Sequence, residues 1–245
     1  EYDLDSWTYY LVGIQAQLRL AQGRLEDAAT IGRGVLALKQ LTLLMQLPAL
    51  CVVAKAESRM GEPDVDHLLG LALKNAMATN EQQYIIPARL NLIENAWLQQ
   101  QTNIAYEQLQ ILCAADSDHY DFWVAGEIAV WLQRFDLEIP YTTPHPLARP
   151  HQLECQGDYA GASQSWLDIG MPFEAALCLL VSDLTENAEH LQTAHGMLDK
   201  LGAKAYTERA RSIATTMGAL KLLPKRRRGP NPNTRQHPLG LTKKE

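Results

Sequence analysis

Two histidines, His190 and His195, lie five residues apart with Glu186 and Glu189 close by, residue types that can hold a divalent metal. The spacing is wrong for it. Ligands from one helix stand at i and i+4, as in H-E-x-x-H, whereas i and i+5 turn the two imidazoles to different sides, so solvated histidines are expected. Asp116-Ser117-Asp118-His119-Tyr120-Asp121 packs three carboxylates and an imidazole into six residues, a composition suited to a cation or to acid–base work. It lies between two apolar-periodic stretches, where short polar side chains cap and turn the backbone, so an N-cap and turn cluster is expected instead. Glu26 with Asp27, and Asp64 with Asp66, precede or open helical stretches and complement the helix dipole there. Cys51, Cys113, Cys155 and Cys178 are far apart, form no C-x-x-C and fall in helical apolar patterns. Four reduced, buried thiols are expected, and neither a metal site nor a disulfide. Neither a G-x-S-x-G elbow nor a G-x-x-x-x-G-K-[ST] phosphate loop occurs. The expectation is therefore a chain that is not an enzyme and holds no cofactor of its own.

The strongest charge feature is Lys225-Arg226-Arg227-Arg228, with Arg235 a few residues on. The formal net charge of −6 is unevenly spread: residues 221–245 hold eight of the 22 basic side chains and only Glu245 of the 28 acidic ones. The acidic body repels polyanions, while the tail is suited to DNA-phosphate contact that positions without reading sequence and weakens as salt rises.

The elements that would carry these residues are helical almost throughout. Trp7, Tyr10, Leu11, Ile14, Leu18 and Leu25 follow the spacing of one helix face, and Gly23-Arg24 breaks the pattern before a second stripe through Ala28, Ile31, Val35 and Leu38. The same two-helix unit returns with Pro48, placed in the first turn of a helix that ends before Gly61-Glu62-Pro63, followed by Leu68 to Met77. A third copy begins at Pro87, breaks near Gln101-Thr102-Asn103 and returns through Ala105 to Leu112. The step from Pro48 to Pro87 sets a period in the high thirties, with two helices to each unit. The aromatics Trp7, Tyr10, Trp97, Trp123, Trp131 and Trp166 recur on these stripes as expected inter-repeat core. The fold class expected is all-α, a tetratricopeptide-like array of helical hairpins (an α-solenoid) with a flexible basic C-terminal tail. Its parts are helical-hairpin repeats over 1–139, a Pro-rich connector over 140–150, and C-terminal helical repeats over 151–220. A basic Pro-rich linker over 221–240 and the start of a further domain over 241–245 complete it.

Trp123 to Phe135 reads as one more helix before the connector, and beyond it Leu153 to Gln156, Tyr159 to Ile169, Pro172 to Val181, Ala188 to Leu201 and Lys204 to Met217 read as helices. Leu241-Thr242-Lys243-Lys244-Glu245 contains Thr-x-x-Glu, a capping box that opens a helix. Together with the initial Glu1, it leads to the expectation of a fragment of a longer protein. No apolar run reaches membrane-spanning length and no signal segment opens the chain, so no membrane contact and a cytoplasmic address are expected.

Gln156-Gly157-Asp158-Tyr159, Trp166, Gly170 to Leu177, and Leu198-Asp199-Lys200-Leu201-Gly202-Ala203 carry a further signal. It continues in Arg226-Arg227-Arg228-Gly229-Pro230, Thr234-Arg235, Pro238 and Gly240-Leu241-Thr242 with Glu245. Across most of its length the chain resembles the large LuxR-type bacterial transcription regulators related to the maltose-regulon activator. That resemblance implies an N-terminal ATP-binding module, a middle array of helical repeats and a C-terminal helix-turn-helix. It assigns Leu241, Thr242 and Glu245 to the start of the helix-turn-helix. It implies DNA bound through the C-terminal domain absent from this chain, ATP bound only in the absent N-terminal module, and a protein or small-molecule inducer on the array, with self-association. The function implied is a regulatory sensor segment. The alternative is a free-standing helical-repeat adaptor with a basic tail.

Overall fold

The computed structural model describes residues 4–38, 41–115, 120–142, 146–182 and 188–225. Among them the chain is all-α, with no strand. The helices are α1 (Leu4–Ala21), α2 (Leu25–Leu36), α3 (Leu43–Met60), α4 (Val65–Thr79), α5 (Gln82–Gln99) and α6 (Thr102–Ala114). They continue with α7 (Phe122–Arg134), α8 (Arg149–Cys155), α9 (Tyr159–Asp168), α10 (Pro172–Leu180), α11 (Ala188–Lys200) and α12 (Lys204–Thr216), and a 3₁₀ turn at Leu220–Leu222 follows.

α1, α3 and α5 have the same length, and their first residues, Leu4, Leu43 and Gln82, are equally spaced along the chain. The step between them is the one that separates Pro48 from Pro87. Each of the three helices also stops the same way. A left-handed residue (Gly23, Gly61, Gln100) turns the chain, and the next N–H reaches back across the last turn: Arg24 donates to Arg19, Glu62 to Glu57, Gln101 to Ala96. This closure satisfies carbonyls that the helix end leaves free. Asp158, Met171 and Ala203 make the same bond after α8, α9 and α11.

Pro48 and Pro87 lie inside α3 and α5, not in the first turn where they were expected. Each helix begins more than a turn ahead of its proline, at Leu43 and at Gln82. Proline removes the bond to the carbonyl four residues back, here that of Leu44 or Gln83, and both are exposed residues. α8 likewise starts at Arg149 and not near Leu153, with Pro150 in its first turn, where no N–H is needed.

Neighbouring helices pack on one another, and glycine lets two of them approach closely: a Cβ on Gly32 of α2 would fall 2.6 Å from Val53 and 3.2 Å from the Ala49 carbonyl of α3. The chain also closes on itself. α12 packs on α3 and α5, and a Cβ on Gly23 would lie 2.8 Å from Leu201 and 3.0 Å from Pro172, so the α1–α2 turn rests on the later ones. In an open array each unit touches only its neighbours. Here one cluster of buried side chains runs from Ala16 and Leu25 through Ile93 and Trp131 to Phe173 and Leu223. Each fully buried large side chain in it contributes about 1.5 to 3 kcal/mol.

Candidate functional site

The closure brings charged side chains into the interior. Arg59, near the end of α3, is 2% exposed, and its Nε and Nη2 donate to the two oxygens of Glu94 on α5 at 2.7 and 3.0 Å. Nη2 also donates to Glu174 on α10 at 2.7 Å, and the guanidinium lies 3.5 Å above the Phe173 ring. Lys55, one turn earlier on α3, stands 3.2 Å from Glu94 and 3.6 Å from Glu127 of α7. Burial works against charge at all three centres, but the opposite charges outweigh it. Glu94 is held well below the usual carboxylate range by Arg59 and Lys55, and both bases are held above their ordinary values. A second buried pair, Arg134 of α7 with Glu154 of α8, bonds through both oxygens at 2.8 and 3.0 Å, its guanidinium 4.5 Å from the Trp131 ring.

Of these side chains, Lys55, Glu127, Arg134 and Glu174 line a cavity of about 300 Å³ between α3 and α7 to α10. One wall is aromatic. Trp123 and Trp166 have ring centroids 5.8 Å apart, and His151 stands edge-on to both, 6.0 and 5.0 Å away. Lys55, Glu127, Arg134 and Glu174 supply the polar edge. His151 is placed by Gly126: a Cβ there would overlap the imidazole at Nδ1. Burial, then Arg134, pushes the His151 pKa down to about 3, so its ring is neutral at physiological pH and acts as a packing surface. A more open hollow continues outward past Phe122, Pro146, Arg149 and Ile169. Indole faces beside two partly exposed carboxylates can hold and orient a small ligand.

On the far side of the ion network the Tyr206 ring of α12 stacks on Trp97 at 5.7 Å and 21°, and stands edge-on to Phe173 at 4.8 Å. Arg211 donates to the Pro224 carbonyl at 2.6 Å, tying the chain that follows α12 back onto it. Lys225 is exposed at the end of the described residues. Arg226, Arg227, Arg228, Arg235, Leu241, Thr242 and Glu245 lie outside them, as do Asp116 to His119 and Glu186.

Several expectations need correction. His195 is 3% exposed, because Leu191, Ala194, His195 and Leu198 form the inner stripe of α11, and burial followed by Arg211 lowers its pKa. His190 is partly buried, its Nδ1 3.0 Å from the Ser182 hydroxyl. Cys51 and Cys178 are buried, but Cys113 is half-buried and Cys155 exposed, since α8 turns Pro150, His151 and Glu154 inward. Burial pushes all four thiols up, so they are protonated at neutral pH. Trp97, Trp131 and Trp166 are core as expected, whereas Trp7 is 59% and Trp123 38% exposed. Asp121 caps α7 as expected, its side chain accepting from the Trp123 and Val124 N–H groups.

The ion network was not anticipated from sequence. Its signal is a charged side chain on an apolar stripe: Arg59 follows Val52 and Ala56 at i+7 and i+3 on α3, and Glu94 stands among Leu90, Ile93 and Trp97. Among the described residues no group of histidine, cysteine and carboxylate side chains could hold a metal ion, and no helix is long and apolar enough to cross a membrane. No family model matches the chain, and searches of curated proteins and of solved structures gave no match.

Proposed function

We propose that this chain is the sensor segment of a DNA-binding transcription regulator, an array of tetratricopeptide-like helical hairpins that reports a ligand in the α3–α7–α10 cavity to the segment after α12. The observation that carries the reading is shared membership. Lys55 and Glu174 line the cavity and also belong to the Arg59–Glu94 network. That network meets α12 through Phe173 and Tyr206. A ligand that engages Glu174 competes with Arg59 for the same carboxylate, and so biases the packing of the helix that leads to the basic residues. The equal steps from α1 to α3 to α5 support the repeat reading. The basic tail and its resemblance to the LuxR-type linker support DNA as the partner, with Lys225 and the following arginines on phosphate. The protein's own contribution is binding and transmission, and no catalytic step is assigned to it.

The test uses the product of the complete reading frame. Its affinity for the DNA upstream of its own and neighbouring genes is measured with and without small molecules that raise the melting temperature. A ligand whose effects on both stability and DNA affinity are lost in Trp123→Ala supports the reading. A frame that ends at Glu245, with no DNA affinity beyond a salt-sensitive non-specific component, supports the free-standing adaptor instead.

A further inference from the structure

The outer face of α1 carries Trp7, Leu11, Ile14 and Leu18 at 59, 64, 38 and 56% exposure. At the i, i+4, i+7, i+11 spacing of one helix stripe, they form a continuous apolar seam. Four large side chains in line differ from the scattered exposed apolar residues of an ordinary surface, and between them they expose roughly 400 Å², within the range of functional patches.

The repeat step shows what such a face is for. The step that carries Leu4 onto Leu43 carries Trp7, Leu11, Ile14 and Leu18 onto Gln46, Leu50, Val53 and Glu57 of α3. A second such step reaches Ile85, Arg89, Leu92 and Ala96 of α5. On α3 this face is closed by the helix before it. Gly32 of α2 lies against Val53 and Ala49, and Arg33 donates to Glu57 at 2.8 Å, leaving Leu50 and Val53 only 3 and 2% exposed. On α5 it is closed by α4. Ala72 and Ala76 pack with Ile85 and Ala88, Val65 and Leu69 with Leu92, and Arg89 reaches Met77. The bare face of α1 is therefore the same surface, continuous with two interfaces that are filled.

We infer that the α1 seam is the docking surface for the second helix of a further helical hairpin, set one repeat step ahead of α1 in the same polypeptide. The chemistry of that helix follows from α2 and α4. It is amphipathic, carries glycine or alanine at the centre of its contact stripe so that the backbones approach closely, and flanks them with leucine or valine. A second copy of the chain is disfavoured on area, because a stable dimer buries about 800 Å² per partner, twice what the seam offers. A tethered hairpin needs less, since its effective concentration is set by the short connection. The inference rests on the repeat step and is independent of the regulator reading.

The test places a second copy of residues 41–81 directly before Leu4, in place of residues 1–3, so that the copied α4 precedes α1 as α4 precedes α5. Acrylamide quenching of Trp7, isolated by difference against Trp7→Phe, should fall to that of a buried indole. Leu11→Glu should lower the melting temperature of the extended chain by about 6 °C or more. In the unextended chain it should shift it by about 2 °C at most, as surface changes do. Three results overturn the inference: Trp7 equally quenched in the extended chain, a copied hairpin that adds no helical circular dichroism, or an unextended chain that sediments as a dimer broken by Leu11→Glu.

Discussion

Replacing Glu94 by glutamine keeps the shape of the buried network and removes its central charge. Glu94 accepts two bonds from Arg59 at 2.7 and 3.0 Å and faces Lys55 at 3.2 Å, with both Arg59 and Glu94 almost fully enclosed. In the variant an amide N–H₂ is forced against guanidinium or ammonium donors, and buried cations lose their main partner. Breaking a buried pair on one side costs about 3 to 5 kcal/mol, which in a chain of this size lowers the melting temperature by about 6 to 20 °C. The loss also has a pH signature. Because the folded Glu94 pKa lies below the unfolded value of about 4.3, the unfolded chain takes up the proton first. The stabilisation is thus complete above the carboxylate range and is lost as pH falls through the folded pKa. Urea unfolding followed by circular dichroism, for the parent and Glu94→Gln between pH 7 and pH 3, should give a wide gap at neutral pH that narrows in acid. The pair Arg59→Met with Glu94→Leu should recover much of the loss, since it removes the desolvation cost along with the attraction. A single variant within about 1 kcal/mol of the parent at pH 7, or a gap that acid leaves unchanged, would refute the reasoning.

Two further outcomes are expected. His151 has its folded pKa pushed down to about 3, against about 6.5 when unfolded. It therefore costs stability as pH falls from 6.5 towards 3, with a slope of up to about 1.4 kcal/mol per pH unit, and His151→Phe should flatten the unfolding free energy across that window. Gln100 closes α5 at φ 59°, a left-handed conformation that a side chain adopts at a cost, so Gln100→Gly should raise the urea midpoint by the equivalent of about 0.5 to 1 kcal/mol. A lower midpoint would show that the Gln100 side chain contributes more than its backbone strain removes.

Helicity and the positions of the turns could be read from sequence, because they depend on local spacing: apolar stripes, broken by Gly23 and Gly61 at the turns. Asp121 as a cap was legible for the same reason, since the bonds it accepts come from Trp123 and Val124 close behind it. What stayed hidden was the inward or outward fate of residues whose partners are distant in sequence. Trp7 and Trp131 carry the same kind of stripe signal, yet Trp7 is largely exposed and Trp131 enclosed, because Trp131 has Trp97 of α5, two helices earlier, against it. His195 looks like a solvated helix residue until the tertiary packing of α11 turns it inward. Arg59 meets Glu94 two helices further on and Glu174 on the distant α10, and no local pattern encodes such pairs. The sequence by itself determined which segments are helices and where they stop, because backbone hydrogen bonding and side-chain periodicity act over a few residues. Tertiary structure alone decided that α12 returns to α3 and α5, placing an aromatic cavity beside a buried ion network, because that closure depends on how many small interhelical angles add up.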